Sequence, residues 1–239
     1  MRKYLYEDKI GFVELVEHMG TDLTIVNAAR VSFNKQKSAI DTKDEKLIKY
    51  LINHRHTSTF EHNAATFRVK VPLFIRSQHM RHRTWKYNEI SNRYVEIGES
   101  ESPPEFYFPV SFRTQHKSNR QSSNVDEHIN PLLWRDNNGE LENYTAVDSV
   151  KHHCDASIEL YHSLINSGVC REQARMVIPQ NLYTTYYATV DLHNLLHFIE
   201  LRTHEGAQWE IQQVAKAMLE ISKSLWPVAV QAFMEREKH

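Results

Sequence analysis

Glycine is scarce, at six residues in 239, and neither a GxGxxG nor a GxxxxGK[ST] run occurs. That excludes the Gly-rich loops that cradle phosphates in dinucleotide and P-loop folds. Cysteine is scarcer still: Cys154 and Cys170 have no metal-ligand spacing around them. Cys154 falls in an apolar helical stripe and reads as a small buried hydrophobe; a disulfide is not expected in what reads as a cytosolic chain. No window is long and apolar enough to span a membrane, and residues 1–9 lack the apolar run of a signal peptide. Charge of one sign is not in excess: 29 Lys and Arg against 30 Asp and Glu leave a formal charge of -1. That balance argues against a non-specific nucleic-acid coat, which needs a basic face. A small nucleotide ligand stays open. With 41% hydrophobic and 25% charged residues, the chain can bury a sizeable core as one large domain or two small ones.

What the chain does have is a local concentration of chemistry at residues 81–94, RHRTWKYNEISNRY. Arginine offers a planar fork of donors that matches phosphate oxygens bidentately. Aromatic rings beside such forks suit a flat heterocycle. The bland reading is a solvated basic surface, as charge runs often are. Three features favour a nucleotide pocket: a strand-to-helix junction next to the segment, a carboxylate and a serine among the arginines, and aromatics off core periodicity.

No internal repeat is evident. Residues 12–19 and 22–31 read as two short helices separated by Gly20. Thr42 with Glu45 three residues on reads as a capping box opening a helix with Leu47, Ile48, Leu51 and Ile52 on one face. Ala65, Phe67, Val69 and Val71 alternate with Thr66, Arg68 and Lys70, the pattern of a strand with one wet face. Pro72 ends it and opens a helix that delivers Arg81. Residues 94–97 are a second strand candidate. Residues 98–143 turn polar and irregular, with an exposed tip at 121–126; about 99–144 is expected to be an insertion or lid within a single domain spanning 1–239. Beyond it, Val147, Val150, Cys154, Ile158, Tyr161, Leu164 and Ile165 recur at helical spacing up to Gly168. A short helix over 171–178, a strand over 183–190, a helix capped by Asp191, a long amphipathic helix over 207–225 and a last helical piece from Pro227 follow. The class expected is α+β with helices dominating.

Three further clusters stand out among the fifteen histidines and the remaining arginines. His193 and His197 share a helix face at a spacing familiar from zinc sites, but no HExxH base, cysteine or carboxylate completes a tetrahedral set. Histidines bonded to backbone or ligand are the competing reading. His54, His56 and His62 with Glu61 lie between a helix and a strand and suit metal, acid-base or surface roles. Arg171 and Arg175 are four apart on a short helix. A metal-dependent hydrolase and a non-catalytic nucleotide binder therefore both stay open beside an enzyme of nucleotides.

The motifs together resemble the flavin-dependent thymidylate synthases, the ThyX family. Arg81-His82-Arg83, seven residues and then Ser91 is similar to that family's signature. Residues 22–32 (DLTIVNAARVS), His54 and His56 with residues 59–62 (TFEH), Asn181-Leu182-Tyr183, Leu201-Arg202 and residues 207–211 (AQWEI) resemble its other blocks in order. The resemblance covers nearly the whole chain outside about 99–144. It implies a ThyX-like fold with a central, mainly antiparallel sheet flanked by helices. It also implies reductive methylation of dUMP to dTMP, with methylenetetrahydrofolate as carbon donor, NADPH as reductant, FAD as hydride carrier, no enzyme cysteine as nucleophile and no metal. A cytoplasmic homotetramer with active sites shared among subunits is implied too, with neither nucleic acid nor membrane as partner. Residue by residue, it assigns Arg81 and Arg83 to nucleotide phosphate and His82 to the flavin. Ser91 becomes a dUMP-positioning residue. Gln78, Glu89, Arg93 and Arg175 fall at dUMP contacts, with Glu89 also near the cofactor, and Arg202 falls near the uracil edge. His56 and Tyr94 border the folate and flavin rings, Ser58 the FAD phosphates, and Asp191, His193 and His197 the flavin. Many members carry Asn and Arg where this chain has Asp191 and His193, so one fixed positive charge is weakened there.

Overall fold

A computed structural model describes residues 1–98, 103–133 and 144–236. Along the chain run β1 (Arg2–Tyr4), β2 (Phe12–Met19), α1 (Asp22–Arg30), α2 (Thr42–Asn53), β3 (Ala64–Pro72), α3 (Leu73–His79), β4 (Lys86–Glu89), β5 (Phe112–Gln115), β6 (Ser123–Ile129), β7 (Leu132–Leu133), β8 (Tyr144–Thr145), α4 (Ala146–Asn166), α5 (Arg171–Ala174), β9 (Tyr183–Asp191), α6 (Leu192–Thr203), α7 (Trp209–Leu225) and α8 (Pro227–Glu235). The class is α+β, as the sequence leads one to expect. The chain divides into two compact units. One holds Met1–Lys70, Gln78–Asn88 and Tyr186–His239; the other holds Val71–Ser77 and Glu89–Thr185.

The first unit is built on a sheet of order β1-β2-β3-β9-β4, with β1–β2 and β2–β3 antiparallel. Phe67, Val69 and Val71 of β3 point into the core and Arg68 points out, as alternation demands. Thr66 and Thr189 join β3 to β9 through their hydroxyls at 3.0 Å. Residues 12–19 are a strand, not the expected helix. Phe12, Leu15, Val16 and Met19 recur at helical spacing because a bulge between Leu15 and Glu17 shifts the register by one residue. An extra residue breaks period-two alternation and lets the strand imitate an amphipathic helix. Gly20 then turns the chain at φ 81°; a Cβ there would sit 1.8 Å from Asn63 Oδ1.

Helix α2 is opened by Asp41, not Thr42. Asp41 accepts from the amides of Lys43 and Asp44, and Asp44 reaches back to the amide of Asp41, so the capping box lies one residue upstream of the expected one. Helix α8 borrows its cap from far along the chain. The buried Asp22 accepts from the amides of Val228 and Ala229, both at 3.0 Å, satisfying two of the orphan donors of a helix start. Burial pushes the Asp22 carboxyl up from its ordinary value and the two amides pull it back. Asp22→Ala would strand both donors and is expected to lower stability by about 2 kcal/mol, read as a shift in the urea midpoint at constant m.

The second unit has its own apolar cluster of Ile97, Tyr161, Ala174 and Leu182, against which Phe106, Ile158, Leu164 and Ile165 lie. Helix α4 matches its expected span, and the chain turns at Gly168 with φ 89°. Phe106 bridges to Leu182 and Tyr107 is buried. Residues 94–97 are a turn and not a strand. The Ser91 carbonyl accepts from the amides of Tyr94 and Val95, and its hydroxyl accepts from the amide of Arg93; a local serine turn outcompetes extension. The expected exposed tip at 121–126 instead runs into β6, which pairs antiparallel with β5. Parts of the expected lid, 99–102 and 134–143, lie outside the described residues.

Candidate active site

In the first unit residues 78–83, where α3 ends, meet α6, so that two distant stretches of the sequence come together. Arg202, in the last turn of α6, donates from Nε to Nε2 of His82 at 3.0 Å, and its Nη2 lies 3.4 Å from the carbonyl of Gln78. The Gln78 side chain meets Gln208, which in turn donates to the buried Glu210. Burial lowers His82 to about 4, with further push from the Arg202 and His197 charges. At neutral pH its ring is therefore uncharged, and Nε2 is the accepting nitrogen. Arg81 and Arg83 are exposed, and neither makes an ion pair with a described residue. Two guanidiniums thus stand open next to a third that the fold holds in place.

Beneath this surface lies an aromatic nest that sequence reasoning missed. His79 is fully buried, with ring centroids of Trp85 at 4.6 Å and Phe198 at 4.7 Å. Its Nδ1 meets the Tyr186 hydroxyl at 2.8 Å. Burial lowers His79 to about 3, helped by His82 and Arg202. Tyr87 donates its hydroxyl to the carbonyls of His79 and His82, at 2.8 and 3.2 Å, which fixes the turn that presents His82. The available signal was slight: His79 stands four residues after the buried Ile75 and so shares its helix face.

Also in the first unit is a cavity of about 380 Å³ lined by His56, His193 and His197, together with Leu51, Ile52, Asn53, Arg55, Thr57, Phe60, Leu196, Glu200, Phe233 and Arg236. His56 of one histidine cluster thus lines the same cavity as His193 and His197 of the other. No group of three or more His, Cys, Asp or Glu suited to a metal ion occurs among the described residues. Arg236 pairs with Glu200 and lies 3.7 Å over the Phe233 ring. Ser58 sits in a 3-10 turn, Thr57–Phe60, next to the cavity-lining Thr57. Asp191 is occupied as the cap of α6: its carboxylate accepts from the Asn194 amide at 2.9 Å and from the Asn194 side chain at 2.7 Å.

The other expected site residues belong to the second unit. Glu89 accepts from Thr184 at 2.8 Å and pairs with Arg76 at 3.2 Å. Arg93 and Arg175 converge on Glu172, one through its carboxylate at 2.9 Å and the other through its carbonyl. Tyr94 is exposed, and its carbonyl accepts from Arg171. Ser91 organises the turn described above.

A family model described as thymidylate synthase complementing protein matches residues 14–228. The chain belongs to that family. A flavin-dependent thymidylate synthase of Thermus thermophilus is 46% identical over 228 residues, which is 94% of this chain and 76% of that protein. One from Thermotoga neapolitana is 40% identical over 225 residues, covering 94% of this chain and 91% of its own length. Among solved structures, a UMP/dUMP methylase, PolB, of Streptomyces cacaoi bound with 5-Br dUMP superposes with a TM-score of 0.77 at 35% identity, covering 94% of each chain. Among the described residues no helix is long and apolar enough to cross a membrane.

Proposed function

We propose that the chain is a flavin-dependent thymidylate synthase that methylates dUMP to dTMP, with methylenetetrahydrofolate as carbon donor and NADPH as reductant. The observation that carries this reading is the Arg202 guanidinium, fixed against neutral His82 and the end of α3. A cation held there stabilises negative charge that grows on a uracil ring as C5 becomes nucleophilic. Arg81 and Arg83 supply open forks for the phosphate of the nucleotide. Gln78, Glu89, Ser91, Arg93 and Arg175 position dUMP, and His56 and Tyr94 border the folate and flavin rings.

The cavity lined by His56, His193 and His197 fits a flavin nucleotide: it pairs aromatic and aliphatic walls with cationic and imidazole donors. Ser58, His82, Asp191, His193 and His197 are the residues that would hold it, and bound FAD would carry reducing equivalents from NADPH. Cys170 is exposed, and the other thiol, Cys154, is buried, raised in pKa by that burial and bonded to Asn181. A thiol so placed makes a poor nucleophile. The family resemblance extends the reading to a cytoplasmic homotetramer with shared active sites.

The test is direct. Purified protein should be yellow, take up FAD, convert dUMP to dTMP when given methylenetetrahydrofolate and NADPH, and rescue a thymidine-requiring strain. Protein that stays colourless with added FAD and binds stoichiometric zinc instead would overturn the reading.

A further inference from the structure

Helix α2 ends in a tight turn in which the amide of His56 donates to the carbonyl of Leu51 at 2.9 Å and that of Arg55 to Ile52 at 3.1 Å. This is the Schellman pattern, whose left-handed position glycine usually takes. Here Arg55 takes it, at φ 55°. A Cβ in that conformation crowds the following carbonyl, so arginine is a strained choice. Such strain persists where a side chain is needed for something else. Nothing in the described fold uses this one: Arg55 is exposed, and its guanidinium makes no hydrogen bond or ion pair with a described residue. It does line the cavity that holds His56, His193 and His197. The one carboxylate on that wall, Glu200, is already paired with Arg236. The imidazoles carry charge only when protonated. Among the described lining residues Arg55 is therefore the fixed cation left uncommitted.

We propose that Arg55 is an anion-binding residue of this cavity, and that its ligand is the diphosphate of the flavin nucleotide. The inference rests on the flavin reading above. A guanidinium grips phosphate oxygens bidentately, and two backbone hydrogen bonds fix the point at which this side chain leaves the turn beside the cavity. The strain in the turn is thus retained for charge and not for folding.

The test uses the full-length apoprotein and two variants, Arg55→Gly and Arg55→Lys, titrated with FAD and with riboflavin, which lacks phosphate. Arg55→Gly should weaken FAD binding about tenfold or more, the scale of a charge-assisted pair, while leaving riboflavin affinity unchanged. Its thermal midpoint without ligand should be equal or higher, because glycine relaxes the turn. Arg55→Lys should recover part of the FAD affinity. Unchanged FAD affinity in Arg55→Gly, equal losses for FAD and riboflavin, or a loss confined to the folate substrate would each overturn the assignment. If the unsubstituted protein binds no FAD, the flavin reading itself fails. If it binds FAD and Arg55→Gly binds as well, only the role of Arg55 fails.

Discussion

Replacing Arg202 with alanine is expected to lower kcat for dUMP methylation by about a hundredfold to a thousandfold, the usual loss when one fixed donor to a developing charge is removed. The half-buried guanidinium is lowered by desolvation, yet arginine stays charged throughout the neutral range. Its hydrogen bond to His82 orients it before any ligand arrives. Loss of that cation should therefore appear in kcat more than in KM, because charge on the ring grows only as the transition state is approached. Arg202→Lys should recover little: a single ammonium cannot reproduce a planar fork that engages His82 and a ligand together. A second readout separates this role from simple scaffolding. His82 is held near 4 in part by the Arg202 charge, so its titration, followed by NMR, should move up toward the ordinary histidine value in Arg202→Ala. A variant with unchanged kcat would remove Arg202 from the reaction, whatever happened to His82.

Most of the helical framework was legible because its signals are local. Asp191 caps α6 through the Asn194 amide, the stripe from Val147 to Ile165 is α4, and Pro227 opens α8. What was missed falls to two causes: partners far along the chain, and competition between local signals of similar strength. The bulge in β2 can be read only against its neighbour β3. The real box of α2 required knowing that Asp44 turns back to Asp41. The cap of α8 comes from Asp22, about two hundred residues earlier. The same division holds at the candidate site. Short motifs pointed to Arg81, His82, Arg83 and Arg202, and the fold joins two of them directly. What no motif marked is the buried support: His79 among aromatic rings and the Tyr87 hydroxyl on two carbonyls. A buried histidine leaves no trace in composition or spacing beyond the helix face it shares with Ile75.

That support predicts strong acid sensitivity. His79 falls to about 3 and His82 to about 4 in the folded protein, against about 6.5 in an unfolded chain. Both folded values are depressed, so the unfolded state binds more protons below its own pKa. Stability is then fully present above about pH 6.5 and drains away as pH falls through the window down to the folded values. Between pH 7 and pH 4.5 the loss should be on the order of 3 kcal/mol, most of it from His79, because solvent screens the half-buried His82. The order of events follows from the packing. To accept a proton, the His79 ring must leave the cage of Trp85 and Phe198, and Tyr87 holds the backbone carbonyls of His79 and His82. Protonation thus loosens the turn that presents His82 to Arg202 before the rest of the sheet opens. Urea midpoints measured from pH 7 to pH 4.5 should fall steeply in the unsubstituted protein, and His79→Phe should flatten that slope by removing the titrating ring while keeping an aromatic in the nest. An equally steep slope in His79→Phe would place the acid-labile group elsewhere. A flattened slope would show that the residue under the candidate site, and not the charged surface around it, sets the lower pH limit of the fold.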